Sequence, residues 1–238
     1  MQLLKGLYGI KQGPRLWVLK LHSVLSSIGF CRIDCDYSVY VYWCGDMKVF
    51  MPIYVDDLLI ASNSKDAVHK VKDELAVHFR LHDQGPATSI LGVKIECNRT
   101  SYSISLSQPG YIRSILEDFN MADCNPASMP MEEGLKLSKM MCPDTPKKRE
   151  AMLNVPYHEL VGKLLYLAVA MCPDISYAVG VLCQFVDNPG SLHWGAAKHV
   201  LHYLKGSIGL KLVYSHSSSP DRFVTYSNAD LGGNPNNS

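Results

Sequence analysis

The chain has no C-x-x-C pair. Its eight cysteines, Cys31, Cys35, Cys44, Cys97, Cys124, Cys142, Cys172 and Cys183, are scattered, which argues against a zinc site or a small disulfide framework and makes reduced thiols the expectation. No apolar stretch reaches membrane-spanning length. The opening Met1-Gln2-Leu3-Leu4-Lys5 also lacks the apolar run and small-residue cleavage site of a secretion signal, so a soluble, unsecreted, intracellular protein with no membrane partner is expected. There is no internal repeat, and the nine histidines show no metal-ligand spacing. Charge of one sign is missing as well: the formal net charge is +1, so any polyanionic partner must be held by local basic clusters rather than a long-range field.

What is present is enough apolar material for a sizeable core. Of the 238 residues, 47% are hydrophobic and 19% charged, which suits one large domain or two small ones. The N-terminal end is locally basic, with Lys5, Lys11, Arg15, Lys20 and Arg32 all preceding the first acidic residue, Asp34. From Pro14 to Ile28 the apolar residues fall at mostly helical spacing, with Pro14 suited to a first turn and Gly29 to a C-cap. Tyr37 to Trp43 and Lys48 to Ser62 are rich in β-branched and aromatic residues, which predicts three antiparallel strands with the last two joined at Asp56-Asp57. A second helix is predicted over 65–79, with Ser64 as its N-cap and Val68, Val71, Leu75 and Phe79 as its apolar stripe. Ile90 to Cys97 and Tyr102 to Leu106 alternate around Asn98-Arg99-Thr100 as a half-buried hairpin does.

After Gln108 the periodicity becomes helical over 111–119, 157–170, 175–186 and 192–204, so a boundary is expected near residue 108. The segment 124–156 carries Pro126, Pro130, Pro143, Pro146 and Pro156 and reads as a surface linker. The strand-like Arg222 to Tyr226, followed by turn residues, looks like a domain cut short. The fold class is α+β.

The most informative local feature is Asp56-Asp57, two carboxylates between the apolar runs Val49–Val55 and Leu58–Ala61. An ordinary hairpin with aspartates at turn positions accounts for it. So does a turn that projects carboxylate oxygens at Mg²⁺, a hard cation that keeps waters for phosphates to displace. Holding two ions roughly 3.5–4 Å apart for phosphoryl transfer would require a further carboxylate. Asp34 and Asp36 are upstream candidates, but nothing places them beside the turn. Trp17, Trp43 and Trp194 are read as core or interface aromatics rather than base-stacking platforms.

Three segments in order, Leu4-Lys-Gly-Leu-Tyr-Gly-Ile-Lys-Gln-Gly-Pro-Arg-Leu-Trp17, Tyr54-Val-Asp-Asp57 and Val155-Pro-Tyr-His-Glu-Leu-Val-Gly-Lys-Leu-Leu-Tyr166, resemble the reverse transcriptase region of copia-type LTR retrotransposon Pol polyproteins. Leu91-Gly-Val-Lys-Ile95, Leu106-Ser-Gln108, Pro173-Asp-Ile-Ser-Tyr-Ala178, Asn188-Pro-Gly190 and Tyr203-Leu-Lys-Gly206 extend the resemblance over essentially the whole chain. It implies a partial polymerase palm over 1–107 bearing the YVDD turn, a mainly helical thumb and connection over 108–221, and the start of an RNase H-like domain over 222–238.

The resemblance further implies that Asp56 and Asp57 are catalytic, metal-holding carboxylates for Mg²⁺ or Mn²⁺ and that Tyr54 lies by the primer end. Gln12 and Gly13 match the segment near the incoming nucleotide, and Lys11 and Arg15 would touch template or phosphates. The implied partners are an RNA or DNA template-primer, a dNTP and the remainder of the Pol polyprotein. The implied setting is cytoplasmic, within a virus-like particle.

Two departures stand against it. The family's other palm aspartate belongs to a strand upstream of the basic segment, which together with the fingers is not in this sequence. Asn228 stands where the RNase H domain's first catalytic aspartate is expected. An RNA-directed DNA polymerase that is inactive as an isolated chain is therefore expected. The alternative is a non-catalytic retroelement remnant that binds nucleic acid weakly.

Overall fold

The computed structural model describes residues 9–215. The opening residues of the first motif, the strand expected over 222–226 and Asn228 lie outside that range. The chain divides into two compact units, Met1–Ala87 and Thr88–Ser238.

In the first unit α1 (Gly13–Ser27) is followed by β1 (Cys31–Arg32), β2 (Val39–Cys44), β3 (Met47–Tyr54), β4 (Asp57–Leu58), β5 (Ala61–Ser62) and α2 (Lys65–His78). The helix ends are set by local chemistry. α1 stops in a Schellman motif, in which Gly29 takes φ +93° while the Phe30 amide donates to Leu25 at 2.9 Å and the Gly29 amide to Ser26 at 3.1 Å. At the start of α2, Ser64 Oγ accepts the Ala67 amide at 3.4 Å.

The strands form an antiparallel sheet in the order β1-β2-β3-β4, with β5 also on β3. The pairs Tyr40↔Met51 and Tyr42↔Val49 fix the register. One sheet face carries Tyr40, Val49 and Met51 into a core with Leu21 and Leu25 of α1 and Ala67, Val71 and Leu75 of α2. The opposite face alternates out of that core, and Trp43, Phe50 and Tyr54 stand on it exposed.

The second unit holds the sheet β6 (Ser89–Ile90), β7 (Val93–Asn98), β8 (Ser103–Ser107) and β9 (Leu212–Ser215), antiparallel and in that order. Leu91 and Gly92, both at positive φ, make the two-residue turn between β6 and β7. The helices are α3 (Pro109–Asp118), α4 (Pro146–Met152), α5 (Tyr157–Ala170), α6 (Ser176–Cys183) and α7 (Ser191–Ser207). Ile115, Leu160, Leu164, Val179, Leu182, Val200 and Leu201 make their common core. Tyr157 donates its buried hydroxyl to the Leu182 carbonyl at 2.8 Å, which satisfies the polar end of a large core side chain. No described helix is long and apolar enough to cross a membrane.

Three features differ from the sequence reading. The units divide between Ala87 and Thr88 rather than near residue 108, because β9, which follows all the helices, completes the sheet begun by β6 to β8. The Pro-rich segment 124–156 is more than a surface linker. It buries Leu137, packs Leu135, Met141 and Cys142 on the helical core, and contains α4. Prolines interrupt its regular structure without preventing burial of the apolar residues between them. Of the core-or-interface reading of Trp43, the core half is excluded, since the side chain is 67% exposed within its unit.

Candidate active site

The paired aspartates sit where β3 turns into β4. Ile53 pairs with Leu58 and Tyr54 with Asp57, leaving Val55 and Asp56 as a two-residue loop. Cross-strand partners share a face, so the Asp57 carboxylate is on the same open side of the sheet as Tyr54. Tyr54, Val55, Asp56 and Asp57 are all exposed. Neither carboxylate has a hydrogen-bond or ion-pair partner among the described residues, so both are available to a ligand.

The loop is strained. Val55 has φ +55°, a conformation that costs an L-residue roughly 1–2 kcal/mol and is uncommon above all for a β-branched side chain. Two-residue hairpin loops ordinarily place glycine, asparagine or aspartate at such a position. Packing does not hold Val55 there, because its side chain is 62% exposed. A hydrogen bond does: Trp17 Nε1–H donates to the Val55 carbonyl at 2.7 Å. Trp17 is fixed in turn by α1 and by an edge-on contact with Phe79 just beyond α2, ring centroids 5.5 Å apart.

That bond ties the second turn of α1 to the carboxylate loop. Arg15 precedes Trp17 by two residues and Gly13 by four, about 3 Å and 6 Å along the helix axis. Lys11, Gln12 and Arg15 are exposed and Gly13 is half-buried. Gln12 is the N-cap residue, and its side chain makes no capping bond. Along α1 the Arg15 side chain leaves about 200° around the helix from Trp17, whereas Gly13 shares the Trp17 side, and the Gly13 amide already donates to Ile10 at 2.9 Å. A surface groove of about 560 Å³, lined by Gly29, Tyr42, Lys70 and Glu74 among others, is at the opposite end of α1 and includes neither carboxylate.

The donor set fits one hydrated hard cation. Mg²⁺ is commonly bound by one or two carboxylates plus substrate phosphates, and Asp56 and Asp57 supply that many. A pair of ions needs more. Among the described residues no three His, Cys, Asp or Glu side chains gather for a metal. Asp36 is engaged elsewhere, its Oδ1 accepting the Ser38 amide at 2.8 Å, and Asp34 is exposed in the connection between β1 and β2.

The structure thus brings Asp56, Asp57 and Tyr54 onto one turn and ties that turn to α1 through Trp17, with no hydrogen bond or ion pair between the turn and Lys11, Gln12, Gly13 or Arg15 among the described residues. Sequence reasoning missed Trp17 and the strained Val55. Glycine's absence from a two-residue loop was the available signal for Val55, whereas nothing local ties residue 17 to residue 55.

A family model described as "Reverse transcriptase (RNA-dependent DNA polymerase)" matches residues 1–133. The chain is similar to the retrovirus-related Pol polyprotein from transposon TNT 1-94 of Nicotiana tabacum, 41% identical over 98% of this chain and 18% of that polyprotein. The Pol polyprotein from transposon RE1 of Arabidopsis thaliana is 37% identical over 98% of this chain and 15% of its own length. A putative transposon Ty5-1 protein of Saccharomyces cerevisiae is 31% identical over 97% of this chain and 72% of its own. The chain spans less than a fifth of the two plant polyproteins. No solved structure matches it.

Proposed function

Because the chain belongs to the reverse transcriptase family of copia-type retrotransposons, we propose that its first unit is the part of a polymerase palm that presents Asp56 and Asp57 to a nucleotide, within an enzyme that copies RNA into DNA. The single observation that supports this reading is the Trp17 to Val55 bond, which ties α1, the helix that follows the basic segment, to the carboxylate turn.

In this reading the open carboxylates hold a Mg²⁺ or Mn²⁺ ion, which when bound neutralises phosphate charge and polarises the α-phosphate of a dNTP. Everything else is positioning by the chain. Lys11 and Arg15 hold phosphate oxygens, Gln12 and Gly13 line the nucleotide, and the exposed ring of Tyr54 supports the primer end. The second unit, with its helical core and its β6 to β9 sheet, serves as the thumb and connection against which template and primer run. The remainder of the Pol polyprotein is the natural partner, and the cytoplasm the place of action.

A second reading is favoured by the donor set. Two carboxylates without a third leave a site for one ion among the described residues, so the chain by itself acts as a nucleic-acid-holding module without turnover. One assay separates the two. Purified chain is offered an RNA template with a DNA primer, dNTPs and Mg²⁺ or Mn²⁺. Extension abolished by Asp57→Asn establishes polymerase activity in this chain alone. No extension, with salt-sensitive binding weakened by Lys11→Ala or Arg15→Ala, establishes the holding module. Absence of both overturns the nucleic-acid reading.

A further inference from the structure

The turn that bears Asp56 and Asp57 has little of its own to hold it. β4 is two residues long, Val55 sits at positive φ with most of its side chain in solvent, and beyond the Tyr54–Asp57 backbone pair neither aspartate's carboxylate is bonded to a neighbour among the described residues. A loop in that condition ordinarily relaxes towards a less strained turn, which would rotate the Asp56 and Asp57 carboxylates apart. The anchor is remote in sequence. Trp17 gives its one polar hydrogen to the Val55 carbonyl at 2.7 Å, and an indole N–H can only donate. The indole cannot swing away, because its ring stands edge-on to Phe79 at 5.5 Å and packs on the core formed by Leu21, Leu25 and Leu75.

We propose that Trp17 is the positioning residue of the carboxylate turn: its indole N–H holds the Val55 carbonyl and so keeps Asp56 and Asp57 in one arrangement for a divalent cation. The consequence for the cation rests on the proposed role of the two aspartates, but the consequence for the turn does not. Trp17 touches no substrate in this role and acts only through the turn.

Trp17→Phe separates the donor from the ring, since phenylalanine keeps an aromatic edge against Phe79 and loses the N–H. Amide hydrogen exchange read by NMR on the full chain measures the turn. Losing one net hydrogen bond corresponds to roughly 2- to 10-fold in an opening equilibrium, so the Asp57 amide, paired with Tyr54 across the turn, should exchange about that much faster in the variant. The melting temperature and the α2 amides should stay close to wild type. Mn²⁺ alone is the second probe: paramagnetic broadening centred on residues 54–58, absent in Asp56→Asn, should need severalfold more Mn²⁺ in Trp17→Phe.

Unchanged exchange at Asp57 in the variant overturns the proposal. Faster exchange in the variant, with no Mn²⁺ broadening in the wild type, supports Trp17 as the turn's anchor and refutes the metal role of the aspartates. Should Trp17→Phe fail to fold, the wild-type indole N–H still decides: protection from exchange supports the bond, and exchange at the rate of a free indole overturns it.

Discussion

Gly190 stands at the N-cap of α7 with φ −102° and ψ 175°, extended backbone that any residue adopts, so its reason lies in space rather than in conformation. A Cβ built there would fall 2.1 Å from the Met141 carbonyl oxygen and 3.2 Å from its carbon. Both atoms belong to the backbone of the strap that covers the helical core, and ordinary contact would require that strap to retreat by more than about 1 Å. Overpacking of this kind costs roughly 1–3 kcal/mol. The retreat also loosens Leu137 and Met141 from the core they cover, and partial exposure of one such side chain adds about 1 kcal/mol. Gly190→Ala should therefore destabilise the protein by roughly 2–4 kcal/mol, lowering the melting temperature by about 4–16 °C for a chain of this length. Gly195 provides the opposite sign. It is exposed inside α7 with nothing within 4 Å of a built Cβ, so Gly195→Ala should stabilise by roughly 0.5–1 kcal/mol through helix propensity. Both variants are read by urea unfolding and thermal melts. A Gly190→Ala protein that melts with the wild type would show that the strap does not cross this helix start.

His193 is fully buried, accepts the Gly190 amide on Nδ1 at 2.9 Å and stacks on Phe185 with ring centroids 4.1 Å apart. Burial holds its pKa below the ordinary 6.5, opposed in part by the Ser138 backbone. The unfolded chain thus binds the proton more readily, so stability is full above the unfolded value and is lost as pH falls through the folded one. Urea midpoints of the wild type should drop between pH 7.5 and pH 5, and His193→Asn should lessen that drop; equal drops would refute it. Leu164→Ala removes a side chain with no exposure from the centre of the helical core and should cost about 2–5 kcal/mol by urea unfolding. Ser64→Ala removes the cap of α2 and should cost around 1 kcal/mol, measurable in the same way.

The residues that were legible in the sequence are those whose partners lie close along the chain. Ser64 bonds an amide three residues on, Gly29 closes a helix whose last carbonyls are its own neighbours, and the run from Met47 to Tyr54 alternates because each strand residue answers to the same two faces. Asp56 and Asp57 belong with them, since a polar pair between two apolar strands predicts a turn whatever surrounds it. The prolines of 124–156 misled because proline reports on backbone regularity, whereas burial of Leu137 depends on the helices it meets.

By itself, then, the sequence determined the α+β class, the main helices, the β2–β3, β3–β4 and β7–β8 hairpins and the position of the two carboxylates, because these follow from periodicities of 2 and 3.6 and from bonds spanning a few residues, whereas the Leu91-Gly92 turn that splits the run 90–97 into β6 and β7 went unread. Only the tertiary structure decided that Trp17 holds Val55 across 38 positions, that β9 at Leu212 closes a sheet begun at Ser89, and that Gly190 passes beneath Met141. Those contacts depend on where whole elements pack, and no local pattern of residue types carries that information.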